Sequence, residues 1–216
     1  MMINAFIFDL DGVIVSTAEN HFNAWKKIAD SLSISFNEEE NEKIKGLSRL
    51  DSLNEILKLG DVKLKNSEKK ILLKKKNKHY LESLSNLSEK NLICGVKNVL
   101  NQTKQKNIKL AIGSSSRNAK FILNKLNILH YFDVIFDGTN VKNPKPNPEV
   151  FLKSSYYFKL CATKCLVFED SLSGVQAAKK GGFNVIAVGN KKLLKIADYY
   201  IDDFVDFEFD KICKSL

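Results

Sequence analysis

The first apolar run of the chain ends in Phe8-Asp9-Leu10-Asp11-Gly12-Val13. Two carboxylates one residue apart repel, and each raises the other's pKa unless a cation stands between them. At the tip of a buried strand the pair gives a fold nothing, yet it suits a site that holds a divalent metal and attacks phosphorus. Asp9 can accept a phosphoryl group as a mixed anhydride, which splits one hard transfer into two. Asp11 is then placed to give and take the proton of the hydroxyl that leaves or attacks. Gly12 permits the tight turn that aims both at one point. Taken alone, an Asp-x-Asp pair also fits a calcium-type loop or a surface turn, so the other clusters decide.

Glu169-Asp170 follow an apolar run and precede Ser171. Hard oxygen donors are what Mg²⁺ prefers, and Asp9 with Asp170 would supply anionic ligands that neutralise an incoming phosphate through the metal. The same residues could simply cap the next helix. Ser114 offers a hydroxyl and Lys145 a compact cation to the transferring phosphoryl group. Lys145 lies between Pro144 and Pro146, with Pro148 close behind, and these are all the prolines of the chain. Such a frame leaves the ammonium little entropy to lose on binding. Arg49 and Arg117 are the only arginines among 34 basic residues. Both sit beside small polar residues, in Ser48-Arg49 and Ser116-Arg117-Asn118, and a guanidinium fork matches a phosphate in a way lysine does not.

The elements that must carry these residues follow from periodicity. Residues 3–8 read as a buried strand, and Thr17 to about Leu32 as a helix with Thr17 as N-cap and Asn20 completing an imperfect capping box. From there to about residue 90 the pattern is helical only, with Leu47, Leu50, Leu53, Ile56 and Leu57 at helical spacing. After Gly95 strands near 108–112, 132–136, 165–168, 184–188 and 199–201 alternate with helices, which predicts a parallel sheet. The expected fold is α/β: a Rossmann-like, doubly wound parallel sheet formed by residues 1–16 and 89–216, with an inserted four-helix cap over 17–88. Ligands of such sheets bind beyond the carboxyl ends of the strands, and the Asp9, Ser114–Ser116, Lys145 and Glu169-Asp170 clusters all fall at such ends.

Composition narrows the class. At 216 residues, 44% hydrophobic and 27% charged, the chain is an ordinary globular sequence. The start of the chain has no basic n-region, and no apolar run reaches membrane-spanning length; a cytoplasmic protein with no membrane partner is expected. The net charge of +9 comes from scattered lysines without interleaved aromatic platforms, which argues against a nucleic-acid partner. Cys94, Cys161, Cys165 and Cys213 lack the spacing of a zinc site, and are expected as small apolar packing residues rather than disulfides.

The four clusters, in this order, resemble the haloacid dehalogenase superfamily of phosphotransferases, and the helical insertion resembles its subgroup with a four-helix cap. The stretch Phe8 to Ile14 with Thr17-Ala18-Glu19, His21-Phe22 and Ala24-Trp25, then Lys45-Gly46-Leu47-Ser48-Arg49, Asp51-Ser52-Leu53 and Lys76-Asn77, is similar to the β-phosphoglucomutase family across essentially the whole chain. The resemblance implies interconversion of β-D-glucose 1-phosphate and D-glucose 6-phosphate with Mg²⁺, through an aspartyl-phosphate and β-glucose 1,6-bisphosphate. It implies Asp9 as nucleophile and Asp11 as acid and base, with metal ligands from Asp9, the Asp11 carbonyl, Asp170 and Glu169 in or just behind them. Ser114 and Lys145 would hold the reacting phosphoryl, and Arg49, Ser116, Arg117 and Asn118 the other phosphate. The family more often has Lys where Arg117 stands. His21 and Lys76 would help move Asp11 into place, and Trp25, Gly46, Ser52 and Ser115 would line the substrate site. The Lys145-Pro146 bond is typically cis in this family. The partners so implied are small sugar phosphates, and a monomer is expected. A sugar-phosphate or phosphoglycolate phosphatase would share Asp9, Asp11, Ser114, Lys145 and Asp170, and differ in the set His21, Arg49 and Lys76. A non-catalytic sugar-phosphate sensor could have lost any of the catalytic groups, and this chain keeps them all.

Overall fold

The computed structural model describes residues 3–205 and 207–209. Six parallel strands lie in the order β3-β2-β1-β4-β5-β6, with β1 Ala5–Phe8, β2 Lys109–Gly113, β3 Val134–Phe136, β4 Cys165–Glu169, β5 Asn184–Val188 and β6 Tyr199–Ile201. This is the doubly wound arrangement read from the alternation of elements. β1 and β4 are buried along their whole length, as strands covered on both faces must be. Side chains alternate across the sheet: Phe6 and Phe8 enter one apolar layer, Ala5 and Ile7 the other. In the first layer Phe8 stacks on Phe168 with ring centroids 4.5 Å apart, which fastens β1 to β4 one residue short of the acidic tips.

β1 is paired on both sides, Phe8 facing Ile112 of β2 and Phe168 of β4. The chain lays β2 and β3 on one side of β1 and then crosses back to lay β4, β5 and β6 on the other, so the crevice of the sheet opens above β1. The carboxyl ends of β2, β1 and β4 therefore deliver Ser114, Asp9 and Glu169 side by side.

Between β1 and β2 the chain makes α1 Ala18–Asp30, α2 Glu38–Ile44, α3 Arg49–Leu59 and α4 Asn66–Ser83, then α5 Val96–Gln105. The first four share their own apolar cluster, centred on Trp25, Ile28, Phe36, Leu53 and Ile56. Helix α4 turns Leu72, Lys76 and Tyr80 inward, four residues apart and hence on one face. The two crossing segments run side by side, with a bridge between Val15 and Leu92. Three more helices pack on the sheet: α6 Ala119–Lys125, α7 Glu149–Phe158 and α8 Leu172–Lys180.

Two local expectations differ from the structure. Thr17 precedes α1 but makes no side-chain cap bond. Its hydroxyl is turned to donate to Asp11 Oδ1, and Asn20 donates to Ser83; a charge-assisted hydrogen bond to a carboxylate sets the Thr17 rotamer. Of the cysteines, Cys165 is buried packing, whereas Cys94 and Cys161 are exposed; Cys213 lies outside the described residues. Among the described residues no helix is long and apolar enough to cross a membrane.

Candidate active site

Asp9 follows β1 directly, its amide donating to Phe168 O at 2.9 Å, and its side chain is buried. Lys145, reached from β3 across the proline frame, places Nζ 2.5 Å from Asp9 Oδ1 and 2.5 Å from Glu169 Oε1. The Lys145-Pro146 bond is cis. Lys145 is fully enclosed, and although burial disfavours its charge, Asp9 and Glu169 hold the ammonium well above its ordinary range. One cation facing several carboxylates is not enough for them all. Burial, with Glu169 and Asp11 nearby, pushes Asp9 up to about 7 despite Lys145. Asp170 is also raised, by burial and by the charges of Glu169 and Asp9.

That surplus of negative charge fits a divalent cation. Asp170 leans on the turn after Asp11 so closely that a Cβ on Gly12 would stand 2.2 Å from its Oδ2. The carboxylates of Asp9 and Asp170 and the Asp11 carbonyl are hard oxygen donors of the kind Mg²⁺ takes. Among the described residues no three His, Cys, Asp or Glu side chains converge as a ready-made cage. Glu169 is occupied behind them: Oε1 meets Lys145, and Oε2 accepts from the Ser171 amide and hydroxyl, each at 2.9 Å. Ser171 caps α8 as well, accepting from Gly174 N.

Asp11 faces the other way, into the helical segment. Its Oδ1 accepts from Thr17 Oγ1 and from Tyr80 OH at 3.2 Å, with His21 Nε2 at 3.5 Å. Burial pushes its carboxyl up, but His21, Thr17 and Lys76 outweigh it and hold it below the ordinary value. Behind His21, Lys76 Nζ contacts Nδ1 at 2.8 Å and lies over the Trp25 and Tyr80 rings. Only 2% of Lys76 is exposed; burial and the charge of Arg49 bring its pKa down to about 7, while burial and Lys76 lower His21.

The cavity between the sheet and the helical segment is lined by Asp9, Asp11, Ser114, Ser116 and Asp170 from below and, from above, by His21, Trp25, Gly46, Arg49, Ser52 and Lys76. Burial and the like charge of Arg117 disfavour the Arg49 guanidinium, a pairing of cations that an anion would relieve. Ser115 also lines the cavity. Arg117 and Asn118 stand apart from its lining: Arg117 is exposed, and Asn118 Nδ2 donates to Asn77 Oδ1 of α4 at 3.0 Å. Thr17, Tyr80 and Asn41 are among the lining or contacting residues that escape sequence reading. Thr17 looks like a helix cap, Tyr80 like core, and Asn41 like one more polar residue of α2. Asn41 is buried at the cavity wall, and only the tertiary structure turns it inward.

Asp9 and Asp170 at the β1 switch point, a lysine buried behind Asp9 and a helical segment over them define one class of enzyme. A family model for haloacid dehalogenase-like hydrolases matches residues 6–188, and the chain belongs to that family. It is 39% identical over 210 residues to the β-phosphoglucomutase of Bacillus subtilis strain 168, across 96% of this chain and 93% of that one. It is 35% identical over 188 residues to a phosphorylated carbohydrates phosphatase of Thermotoga maritima, across 85% and 84% of the two chains. The crystal structure of β-phosphoglucomutase from Clostridium difficile matches with a TM-score of 0.95 at 36% identity, covering 99% of this chain and 97% of that one.

Proposed function

We propose that this enzyme interconverts β-D-glucose 1-phosphate and D-glucose 6-phosphate, with Asp9 as nucleophile and Asp11 as acid and base. The observation that carries the reading is one cavity with Asp9 and Ser114 on its sheet side, Lys145 buried behind Asp9, and the Arg49 guanidinium on its helical side. A hydrolase needs only one anion site; a mutase must hold a reacting phosphate and a non-reacting one at once.

In one half-reaction an oxygen of Asp9 bonds to phosphorus of the bisphosphate as the phosphorus–sugar oxygen bond breaks, and Asp11 gives its proton to the departing sugar oxygen. In the other, the Asp11 carboxylate takes the proton of the second sugar hydroxyl as that oxygen attacks the phosphorus carried on Asp9. Lys145 and Ser114 meet the charge on the transferring group. Magnesium, held by Asp9, Asp170 and the Asp11 carbonyl, would neutralise charge on the phosphoryl oxygens. Between turnovers Thr17, Tyr80 and His21 hold Asp11 ionised, and the proton it takes from one sugar hydroxyl is the one it gives to the other sugar oxygen. Residues 17–88 act in this reading as a cap, Arg49 drawing it down onto the non-reacting phosphate and so excluding water.

The test supplies β-glucose 1-phosphate, Mg²⁺ and a trace of the 1,6-bisphosphate and follows glucose 6-phosphate against free phosphate. Glucose 6-phosphate is expected in large excess; stoichiometric phosphate without it would make the enzyme a phosphatase. Asp9→Asn abolishes both products. Arg49→Ala lowers mutase turnover far more than slow hydrolysis; unchanged mutase kinetics would remove the cap's anion site.

A further inference from the structure

We propose that Ser115 and Ser173 are positioning residues that clip the helical segment shut over the site, an inference that rests on the mutase reading. Ser115 Oγ donates to Gly46 O at 2.7 Å, and Ser173 Oγ donates to Lys45 O at 3.0 Å. The accepting carbonyls are consecutive, just past the end of α2, where helix geometry leaves carbonyls without amide partners. The donors come from different strand ends. Ser115 follows β2 and Ser173 stands in the first turn of α8 after β4, and these strands flank β1. One short strap of the helical segment is thus pinned on both sides of Asp9.

The approach is close because of Gly46. Its φ is +73°, and a Cβ there would fall 2.3 Å from Ser171 Oγ and 2.4 Å from Ser173 Oγ. Beyond Gly46 the chain reaches Ser48, which accepts from the Asp51 amide to start α3, and then Arg49. Pinning 45–46 therefore sets where the guanidinium enters the cavity. Neither hydroxyl has a comparable duty in the core: Ser173 Oγ otherwise meets only Ser171 Oγ at 3.5 Å, and the Glu169 support is given by Ser171. A third bridge, Asn118 to Asn77, lies toward α4. A neutral hydrogen bond of this kind shifts an equilibrium by about two- to tenfold, so the pair shifts the open–closed ratio by about four- to a hundredfold.

The experiment compares the full-length wild type with Ser115→Ala, Ser173→Ala and the double variant. With β-glucose 1-phosphate, Mg²⁺ and trace bisphosphate, the double variant is expected to release about tenfold more free phosphate per glucose 6-phosphate, since water gains access to the phosphorylated Asp9. Each single variant falls between, Ser115→Thr restores the wild-type ratio, and the thermal midpoint moves little. A second readout uses no substrate: hydrogen exchange in residues 45–49 should quicken about tenfold in the double variant while β1 and β4 amides stay protected. Unchanged product ratio and unchanged exchange would overturn the proposal. Quickened exchange in a protein whose wild type makes only phosphate would keep the clip and discard the mutase reading.

Discussion

The residue that governs this site electrostatically is Lys145, because it is the buried cation shared by Asp9 and Glu169. Burial outweighs its single charge and leaves Asp9 with a pKa of about 7. In the metal-free enzyme Asp9 therefore binds a proton below that pH, and a metal that needs the carboxylate must displace it. Because Asp170 is raised as well, magnesium affinity is expected to weaken by at least about tenfold per pH unit below pH 7. Isothermal titration at pH 8 and pH 6 measures this, and equal affinities would show that Asp9 is already ionised at pH 6. At this scale the sequence was informative where residue type was rare. Two arginines and one prolyl-framed lysine stand out; Lys76 does not, being one of many lysines until burial under Trp25 and Tyr80 distinguishes it. Thr17 and Tyr80 were illegible, since a hydroxyl's acceptor depends on what folding brings near.

Among the elements, α8 shows how a helix is shaped by the acid it covers. Gly174 stands in its first turn, where alanine would ordinarily favour the helix by up to about 1 kcal/mol. Here a Cβ would come 1.8 Å from Glu169 Oε1, inside the carboxylate that holds Lys145. Gly174→Ala is therefore expected to have the opposite sign, losing about 1–3 kcal/mol as an overpacked core does, together with most activity because Glu169 and Lys145 must move. Urea denaturation and turnover check it, and a stabilised, active variant would show that Glu169 has room to shift. The strands and helices themselves were legible, because apolar runs and helical spacing report burial directly. The missing cap bond at Thr17 was not, because propensity is blind to a carboxylate six residues upstream.

Across the whole molecule there are separate apolar clusters, two on the faces of the sheet and one within the helical segment. Leu53 is fully buried in the last of these. Leu53→Ala is expected to cost about 2–5 kcal/mol, felt first within the helical segment. Hydrogen exchange should then accelerate in α1–α4 while β1 and β4 keep their protection, whereas uniform acceleration would mean one cooperative unit. The exposed Leu50, Leu59 and Ile71 of this segment stand outside that cluster.

The sequence by itself determined which chemistry this protein can do and which strand ends must meet. An alternation of buried runs and helices leaves little choice but a parallel sheet, and a parallel sheet gathers the carboxyl ends of its strands on one rim. The tertiary structure decided how the charges on that rim are shared, and which of many similar lysines, serines and asparagines face the cavity. It turned Glu169 onto Lys145, Asn118 away to Asn77, and the hydroxyls of Ser115 and Ser173 onto the backbone of residues 45–46. These are contacts across long sequence separations, set by packing distance and burial, and no local pattern carries either quantity.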